Sequence, residues 1–323
     1  MNNEKASTSK QTDRNAERPP PVSIFITTYL GSPERGEVLK ATCENALAQN
    51  YPDFEVVVSD NAGPYPAEKA LASIDDPRLR VVRNEENLGQ VGNSNMCLQR
   101  CRHDIIKVHC DDDLLHPDCL RVTVPLVNDD TYVVVDKLFF VIGQSPKELN
   151  DPLPENLEID TQSPGYGKDF WGDEQVSLPG CCLFTRKLFT DLGGYDERTR
   201  LFDYDFLLMA RLRKNIAFVQ YPLCWMGEWE DSLSFKMMRD QPFFFATGQL
   251  YGQFKVLKIG GLDDAEHRSL TRCLIGRFLW EGLRLPRHLL NGKYWKGWYE
   301  YARETIRLAR APASEFLPEE DAD

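Results

Sequence analysis

Three consecutive aspartates, Asp111, Asp112 and Asp113, are the part of the sequence best suited to chemistry. They follow an apolar stretch, residues 105–109, that is typical of a buried strand. Adjacent carboxylates repel one another, so the cluster costs stability unless a cation neutralises it. Carboxylate oxygens suit Mg²⁺ or Mn²⁺ better than zinc, and such a cation can bridge the oxygens of a diphosphate. The cluster predicts a divalent-metal site; the alternative is a solvated acidic turn at the start of a helix.

The elements that would position this cluster alternate between strand and helix. Four short apolar stretches rich in β-branched residues are predicted strands, and three helical stretches connect them within fewer than 100 residues. This pattern predicts a parallel, doubly wound α/β sheet, in which ligands bind at the carboxyl ends of the strands. The predicted strands are 22–28, 54–60, 80–83 and 105–109, and the predicted helices are 34–49, 67–74 and 90–102.

Polar side chains lie at the ends of the other predicted strands. Each of them alone is ordinary turn chemistry, but all of them belong to one edge of the predicted sheet. They can therefore contribute to one ligand site with the three aspartates. These residues are Thr27, Thr28 and Tyr29 after the first strand, Asp60 and Asn61 after the second, and Asn87, Gly89 and Asn95 around the start of the third helix.

The remainder of the chain is less regular. A β-type run covers 131–143, and four prolines in 144–170 predict an extended loop. Residues 176–189 predict a strand, a loop and a helix, and 203–214 predict a helix. From about 236 onward the sequence is mainly helical.

Composition excludes several classes of protein. The 323 residues include 50 acidic and 38 Lys or Arg residues, a net charge of −12, which argues against a general nucleic-acid binder. Residues 1–21 are polar, end in three prolines and lack the apolar core of a signal peptide, so we expect a disordered leader. The sequence contains no run of 18 apolar residues, so it predicts no membrane-spanning helix. Nine scattered cysteines without a C-x-x-C pair predict reduced, mostly buried thiols in a cytoplasmic protein.

A basic, aromatic segment lies near the C-terminus. Residues 271–311 contain nine Lys or Arg residues against three Glu, together with seven Phe, Trp or Tyr residues. Such a segment can lie against an anionic membrane at the inner face, as a peripheral contact. It can equally be a packed helical appendage or the face of a homodimer. The sequence leaves these alternatives open.

Taken in order, these motifs resemble a family 2 glycosyltransferase of the GT-A fold. The resemblance covers about 22–235 and leaves the C-terminal extension, 236–323, without a counterpart. It implies a Rossmann-like, mainly parallel sheet with flanking helices, followed by helices and an acidic tail. The matching stretches are Ile26–Tyr29, Val56–Asn61, Asn87–Gly89 with Asn95, Cys110–Pro117, Gly180–Arg186, Gly193–Glu197 and Phe202–Arg211.

The resemblance implies an inverting transfer from a nucleotide-diphospho-sugar, a UDP-sugar by expectation, to a glycan, lipid-linked or small-molecule acceptor. The nucleotide would lie on the strand-end residues given above, with Asp60 at the base and Asp111 at the ribose. Asp112 would be the main ligand of Mg²⁺ or Mn²⁺, with Asp113 beside it. The expected use is biosynthesis of a surface polysaccharide, a lipid-linked oligosaccharide or a glycosylated metabolite.

The resemblance also implies a general base on the acceptor side. Asp203 stands where the family has the aspartate of a Glu-Asp pair, and Asp205 is the second choice. An inverting displacement needs a carboxylate that accepts the acceptor's proton on the face opposite the leaving diphosphate. A first-turn acid that only stabilises a helix is the alternative. Trp171, Glu228 and Trp229 are further candidates on the acceptor side or in the late loop.

The chain departs from the family pattern at four positions. Cys110 replaces an acid, Ser94 replaces an arginine, and Phe202 replaces the glutamate before the base. Trp229 stands where a late histidine reaches the metal or the phosphates. A sugar nucleotidyltransferase and a non-catalytic nucleotide-sugar scaffold remain as alternatives, although no glycine-rich nucleotidyltransferase loop follows the first strand.

Overall fold

The computed structural model of the chain describes residues 18–165, 179–199, 201–229, 232, 243–284 and 292–317. Most of the expected leader, residues 1–17, lies outside this range. Of its last residues, Pro20 accepts a hydrogen bond from the Tyr51 hydroxyl at 2.6 Å, and Arg18 lies 3.2 Å from Asp53. The leader's end therefore contacts the domain that begins at Val22.

A nine-stranded sheet forms the centre of the molecule. Its strands occur in the spatial order β3-β2-β1-β4-β8-β6-β9-β5, with β7 also paired to β9. The first four strands are mutually parallel, which confirms the predicted α/β sheet. The strands are β1 Val22–Thr28, β2 Phe54–Asp60, β3 Leu79–Arg83, β4 Ile105–Cys110, β5 Leu114–Leu115, β6 Thr131–Val141, β7 Ile159–Gln162, β8 Cys182–Thr185 and β9 Asn215–Glu228.

Helices cover both faces of this sheet. The described α-helices are α1 Pro33–Leu47, α2 Ala67–Leu71, α3 Gly89–Arg100, α4 Cys119–Thr123, α5 Arg186–Asp191, α6 Phe202–Arg213, α7 Phe244–Ile259, α8 Asp264–Arg284 and α9 Gly292–Arg310. The first three helices begin and end within three residues of their predicted positions, because the apolar periodicity that marks them in sequence is also what the sheet buries.

The central strands are buried on both faces, which explains why apolar residues predominate in them, although Ser23, Glu55 and Lys107 are buried there as well. Ile24 and Ile26 of β1 pack on the side of α1, in a cluster that contains Leu39. Phe25 points to the opposite side, into the cluster that contains Leu98 of α3. Side chains that alternate along one strand thus fix helices above and below the sheet.

Two strands depart from the sequence-based expectation. The loop predicted over 144–170 contains β7, whose four residues are all exposed and pair with β9 at the sheet edge. The 14-residue β9 itself was not predicted, and Pro222 within it argues against a regular strand. That proline lies at a register irregularity, opposite Asp136 of β6, where a missing N–H donor is tolerated.

The C-terminal helices share the main hydrophobic core with the sheet. Phe243, Tyr294, Tyr301 and Phe316 are all buried within it, and the rings of Phe243 and Tyr294 lie 4.9 Å apart. The described C-terminal helices therefore pack against the rest of the protein, and the bounds of the expected extension stay a prediction. None of the helices among the described residues combines the length and apolar character needed to cross a bilayer. Seven of the nine cysteines are buried, as expected, and Cys273 is exposed.

Candidate active site

The three aspartates lie at the point where the order of the parallel strands reverses. From β1 the chain moves outward through β2 to β3, and then returns across β1 to β4. The loops after β1 and β4 therefore diverge and leave a crevice between them, the usual ligand position in such sheets. Thr28 Oγ1 spans this crevice and donates a 2.5 Å hydrogen bond to Asp111 Oδ2. The structure thus brings together two predicted site residues that are 83 positions apart in sequence.

Arg35, which sequence reasoning did not select, faces the same carboxylates. It lies in the first turn of α1, and its Nη2 donates to Asp111 Oδ1 at 2.8 Å. Its Nη1 lies 3.5 Å from Asp112 Oδ2. The guanidinium also stacks on the ring of Trp229, 4.4 Å from the centroid. An arginine just after a strand–helix turn was the available signal, but only the fold shows which carboxylates it meets.

Asp112 and Asp113 bear pKa values far above those of exposed aspartates. Burial, followed by the charges of Asp111 and Asp113, raises the pKa of Asp112 to about 8. Burial, followed by the nearby Cys181, raises the pKa of Asp113 to about 7. Arg35 therefore compensates the acidic charge at this point only in part, and a divalent cation would relieve the remainder.

The acidic pair fits a hard divalent cation. Gly227 N donates to Asp113 Oδ1 at 3.1 Å, whereas the buried Oδ2 has no hydrogen-bond partner among the described residues. Among the described residues, no three His, Cys, Asp or Glu side chains are grouped so that they could bind one metal ion together. The protein would thus supply two carboxylates and leave further positions for water and phosphate oxygens, as is usual for Mg²⁺.

Glycines allow the close packing around this acidic pair. A Cβ on Gly180 would lie 2.5 Å from Asp113 Oδ2. A Cβ on Gly227 would overlap the backbone carbonyl of Asp112. Two residues without side chains thus let β9 and the segment before β8 approach the carboxylates closely.

Asp60 is fully buried at the end of β2. Its Oδ1 accepts a hydrogen bond from Gly63 N at 3.2 Å, and its Oδ2 accepts from Ala67 N at 3.0 Å and from Arg83 Nη1 at 2.5 Å. The carboxylate therefore anchors the start of α2. Its predicted contact with a nucleotide base stays a prediction, and Arg83 is a neighbour that sequence reasoning did not identify.

Asn61 belongs to a network of side-chain amides behind the sheet edge. Its Nδ2 donates to Asn87 Oδ1 at 2.8 Å and to Gly89 O at 3.0 Å, and its Oδ1 accepts from Leu88 N at 2.9 Å. Gly89 has a φ of +73°, a left-handed conformation that favours glycine. These predicted residues do come together, and they fix the turn into α3.

Tyr195 connects this edge of the sheet to α6. Asn95 Nδ2 donates to the Tyr195 carbonyl at 2.9 Å. Burial raises the pKa of the Tyr195 phenol well above its ordinary value, with further contributions from nearby Cys182, Asp203 and Cys110. The Tyr195 ring also packs against the ring of Phe202, the residue before Asp203, with the centroids 4.7 Å apart.

Asp203 and Asp205 occupy the first turn of α6 but have different surroundings. Burial raises the pKa of Asp203 to about 6, although the backbone N–H groups of Tyr204 and of Asp203 itself oppose the shift. Asp205 Oδ2 instead accepts from Lys255 Nζ at 3.0 Å, in a pair whose side chains are nearly inaccessible. Lys255 was not identified from the sequence because it comes from α7, 50 residues downstream.

The late-loop candidates, Glu228 and Trp229, differ in whether they contact the acidic cluster. Glu228 is exposed at the end of β9, where its carbonyl accepts a hydrogen bond from Ile142 N at 3.2 Å. Trp229 lies over Arg35 and contacts the acidic cluster through it. Trp171 lies outside the described residues. The structure thus joins only Trp229 to the carboxylates through a described contact.

Comparison with solved structures supports this fold. Residues 1–349 of Staphylococcus aureus TarS, in complex with UDP-GlcNAc, superpose with a TM-score of 0.66 at 11% identity, over 92% of this chain and 84% of that one. The mannosyltransferase PcManGT of Pyrobaculum calidifontis, in complex with GDP-Man and Mn²⁺, superposes with a TM-score of 0.52 at 17% identity, over 90% and 86% of the two chains. At these identities the likeness concerns the fold.

Sequence comparison places the chain in a family. It is 26% identical over 119 residues to WfaP of Escherichia coli, a UDP-Glc:α-D-GlcNAc-diphosphoundecaprenol β-1,3-glucosyltransferase, covering 37% of this chain and 43% of the relative. Two further curated relatives match over 220 and 194 residues, so this chain spans 66% and 63% of their own length, just under two thirds of each. The model of glycosyl transferase family 2 matches residues 23–193, more than half of the chain. The chain therefore belongs to glycosyl transferase family 2, and its fold is the GT-A fold.

Proposed function

We propose that this protein is an inverting, metal-dependent glycosyltransferase that moves a sugar from a UDP-sugar to a hydroxyl group. The observation that carries the proposal is the separation of two carboxylate sites with raised pKa values. Asp112 and Asp113 lie at the crevice of the sheet, and Asp203 lies in the first turn of α6. A single displacement needs a base on the acceptor side of the anomeric carbon and, on the opposite side, carboxylates that hold the cation that stabilises the leaving diphosphate.

Asp112 and Asp113 would hold Mg²⁺ or Mn²⁺, which when bound supplies positive charge for the leaving diphosphate. Thr27, Thr28 and Tyr29 would line the nucleotide, with Asp60 at its base and Asp111 at its ribose. Among these, Thr28 and Asp111 are already joined by a hydrogen bond across the crevice. That bond holds the two sides of the nucleotide site in register.

Asp203 would accept the proton of the acceptor hydroxyl. A base whose pKa is close to 6 is ionised at neutral pH and still binds a proton more readily than an exposed aspartate does. Asp205 is less suited to this role, because its carboxylate is already paired with Lys255. The deprotonated hydroxyl would then attack a sugar with oxocarbenium character, as in glycoside hydrolysis.

The choice of UDP as the donor nucleotide rests on similarity to proteins whose nucleotide sugar is known. TarS binds UDP-GlcNAc and WfaP uses UDP-glucose, whereas PcManGT binds GDP-mannose. We propose a UDP-sugar donor and a glycan or lipid-linked acceptor, in polysaccharide or lipid-linked oligosaccharide biosynthesis. A GDP-sugar is the competing donor.

A lipid-linked acceptor agrees with the surface of α9. We propose that this surface rests on anionic lipid at the inner face of a membrane. Its exposed residues recur every three or four positions, so they lie on one face of the helix, and they combine cations with apolar and aromatic groups. We call Trp295, Lys296, Tyr299, Arg303, Ile306 and Arg310 the α9 stripe.

The test is release of nucleoside diphosphate from a panel of nucleotide sugars in the presence of Mn²⁺ and candidate acceptors. The proposal expects release that depends on metal and is lost in Asp112→Ala and Asp203→Asn. Pyrophosphate formed from a sugar phosphate and a nucleoside triphosphate would instead identify a nucleotidyltransferase. Binding of nucleotide sugar without turnover by any acceptor would favour a scaffold protein.

A further inference from the structure

We propose that Arg35 binds the diphosphate of the donor and that Trp229 holds its guanidinium in position for this. The inference rests on the proposed function, because it assigns a residue to the nucleotide-sugar site. The Arg35 guanidinium lies against the face of the Trp229 ring, beside the acidic cluster.

The position of Arg35 is well defined. It stands in the first turn of α1, two residues after Pro33, which presets the backbone at the start of the helix. Its side chain is only 19% exposed. It contacts Asp111 at 2.8 Å and Asp112 at 3.5 Å, and the ring of Trp229 lies 4.4 Å away on the third side. The guanidinium is thus confined to the rim of the proposed metal site.

Charge balance indicates what happens to this guanidinium when a donor binds. Without a donor, Arg35 supplies a positive charge to Asp111 and Asp112. A divalent cation on Asp112 and Asp113 would take over part of that role, and the diphosphate would bring its own negative charge. A guanidinium has five N–H donors in a planar fork, which matches phosphate oxygens. Arg35 can then redirect part of its fork from the carboxylates to the diphosphate.

Trp229 stands where the family pattern has a late histidine that reaches the metal or the phosphates. An indole cannot carry a positive charge, but its face attracts a guanidinium. The Trp229 Nε1 is buried and has no acceptor among the described residues. A buried donor without an acceptor is costly, so an incoming phosphate oxygen would satisfy it. We infer that Arg35 and Trp229 together replace the late histidine of the family pattern.

The competing explanation is that Arg35 only neutralises the acidic cluster. The two explanations differ in how one substitution changes two affinities. If Arg35 binds the diphosphate, Arg35→Gln tightens binding of Mn²⁺ alone, since a competing cation is gone, but weakens binding of UDP in the presence of Mn²⁺. If the residue is only a counter-ion, Mn²⁺ binding changes and UDP affinity follows it in the same direction.

The experiment uses the full chain and measures Mn²⁺ binding by electron paramagnetic resonance, and UDP and uridine binding by calorimetry at saturating Mn²⁺. For Arg35→Gln we expect UDP to bind about 10- to 100-fold more weakly, the effect of losing charge-assisted hydrogen bonds. Uridine affinity should stay within about twofold, because the nucleoside lacks the phosphates. Mn²⁺ alone should bind several-fold more tightly.

Further variants keep the result interpretable. Arg35→Lys retains the charge without the fork and should fall between the wild-type protein and Arg35→Gln. Trp229→Phe retains an aromatic face but lacks the N–H group, and it should weaken UDP binding without changing Mn²⁺ binding. Arg121→Gln removes an exposed arginine of α4 and should change neither affinity.

The outcomes separate the two levels of the proposal. Unchanged or tighter UDP binding in Arg35→Gln, or parallel weakening of UDP and Mn²⁺ binding, overturns the role of Arg35 while the proposed function stands. Failure of the wild-type protein to bind UDP or GDP with Mn²⁺ overturns the proposed function and this inference together. Circular dichroism confirms that each variant is folded before its affinities are compared.

Discussion

Lys255 Nζ lies 3.0 Å from Asp205 Oδ2, and this buried ion pair distinguishes two acids that are equivalent in sequence. Asp203 and Asp205 both stand in the first turn of α6. The second one meets an ammonium from α7, which also lies 3.2 Å from Asp196. Asp205 is thereby part of the contact between two helices, and Asp203 remains the better candidate for proton transfer.

This difference predicts opposite effects of two conservative substitutions. Asp203→Asn should lower kcat about 10²- to 10⁴-fold, the usual contribution of a general base. It should leave thermal stability unchanged or slightly higher, because burial disfavours the Asp203 charge. Kinetics with a saturating donor and thermal unfolding provide the two measurements.

Asp205→Asn should instead lower stability. Breaking a buried ion pair costs about 3–5 kcal/mol, and we expect a value at the low end because Asp196 still pairs with Lys255. Activity of the folded fraction should persist. A fully active Asp203→Asn variant, or an inactive but stable Asp205→Asn variant, would reverse the assignment of the base.

The pH dependence of the reaction should report the carboxyl of Asp203. Its pKa in the folded protein, about 6, is above the ordinary value, so the carboxyl takes up a proton as pH falls through 6. The base is then lost, and log kcat/KM should decline with unit slope below pH 6. A profile measured at saturating metal checks this, and no inflection between pH 5 and 7 would contradict it. Because the folded state holds the Asp203 proton more tightly, stability should fall as pH rises from about 4, the ordinary pKa of an aspartate, to about 6, and Asp203→Asn should remove this fall.

The packing of Gly180 predicts a selective loss of metal affinity. A methyl group there would lie 2.5 Å from Asp113 Oδ2 and must displace the carboxylate. Gly180→Ala should therefore weaken Mn²⁺ binding by about tenfold or more, the equivalent of losing one charge-assisted contact.

Gly276→Ala is the matched control, because its Cβ would meet nothing within 4 Å on helix α8. The control should bind Mn²⁺ normally and gain about 0.5–1 kcal/mol of stability. Equal Mn²⁺ affinity in both variants would argue against Asp113 as a ligand.

The α9 stripe predicts binding to anionic membranes. Wild-type protein should cosediment with phosphatidylglycerol vesicles and dissociate from them at high salt. It should not bind phosphatidylcholine vesicles. Lys296→Glu and Arg303→Glu should each weaken binding at least fivefold, since a basic residue near such a surface contributes about 1 kcal/mol. Arg121→Glu on α4 is the control.

Tyr299 tests the apolar part of the stripe, because its side chain is 62% exposed. Tyr299→Ser should weaken vesicle binding without changing thermal stability. A stable dimer in light scattering that Tyr299→Ser dissociates would show instead that a second copy covers the stripe. Absence of cosedimentation with either vesicle would also overturn the membrane contact.

The sequence was sufficient for the parallel half of the sheet. Strands β1, β2 and β4 are buried on both faces, so each is a short, mainly apolar run rich in β-branched residues that can be recognised directly. Asp111 to Asp113 were recognisable for a related reason, since charge directly after such a run has few structural explanations. Strand β9 escaped recognition, because Pro222 interrupts it and its buried residues stand next to one another, so no regular alternation of apolar and polar residues marks it.

What the sequence by itself determined was the chemical type of each site residue and its place at a strand end, because local patterns depend on neighbours along the chain. Only the tertiary structure decided which charges meet. Arg35 reaches Asp111 across 76 positions, and Lys255 reaches Asp205 across 50. The first pairing depends on how α1 lies against the sheet and the second on how α6 packs against α7, and no local pattern contains that information. The raised pKa values of Asp112 and Asp203 arise in the same way, since burial is a property of the packed chain.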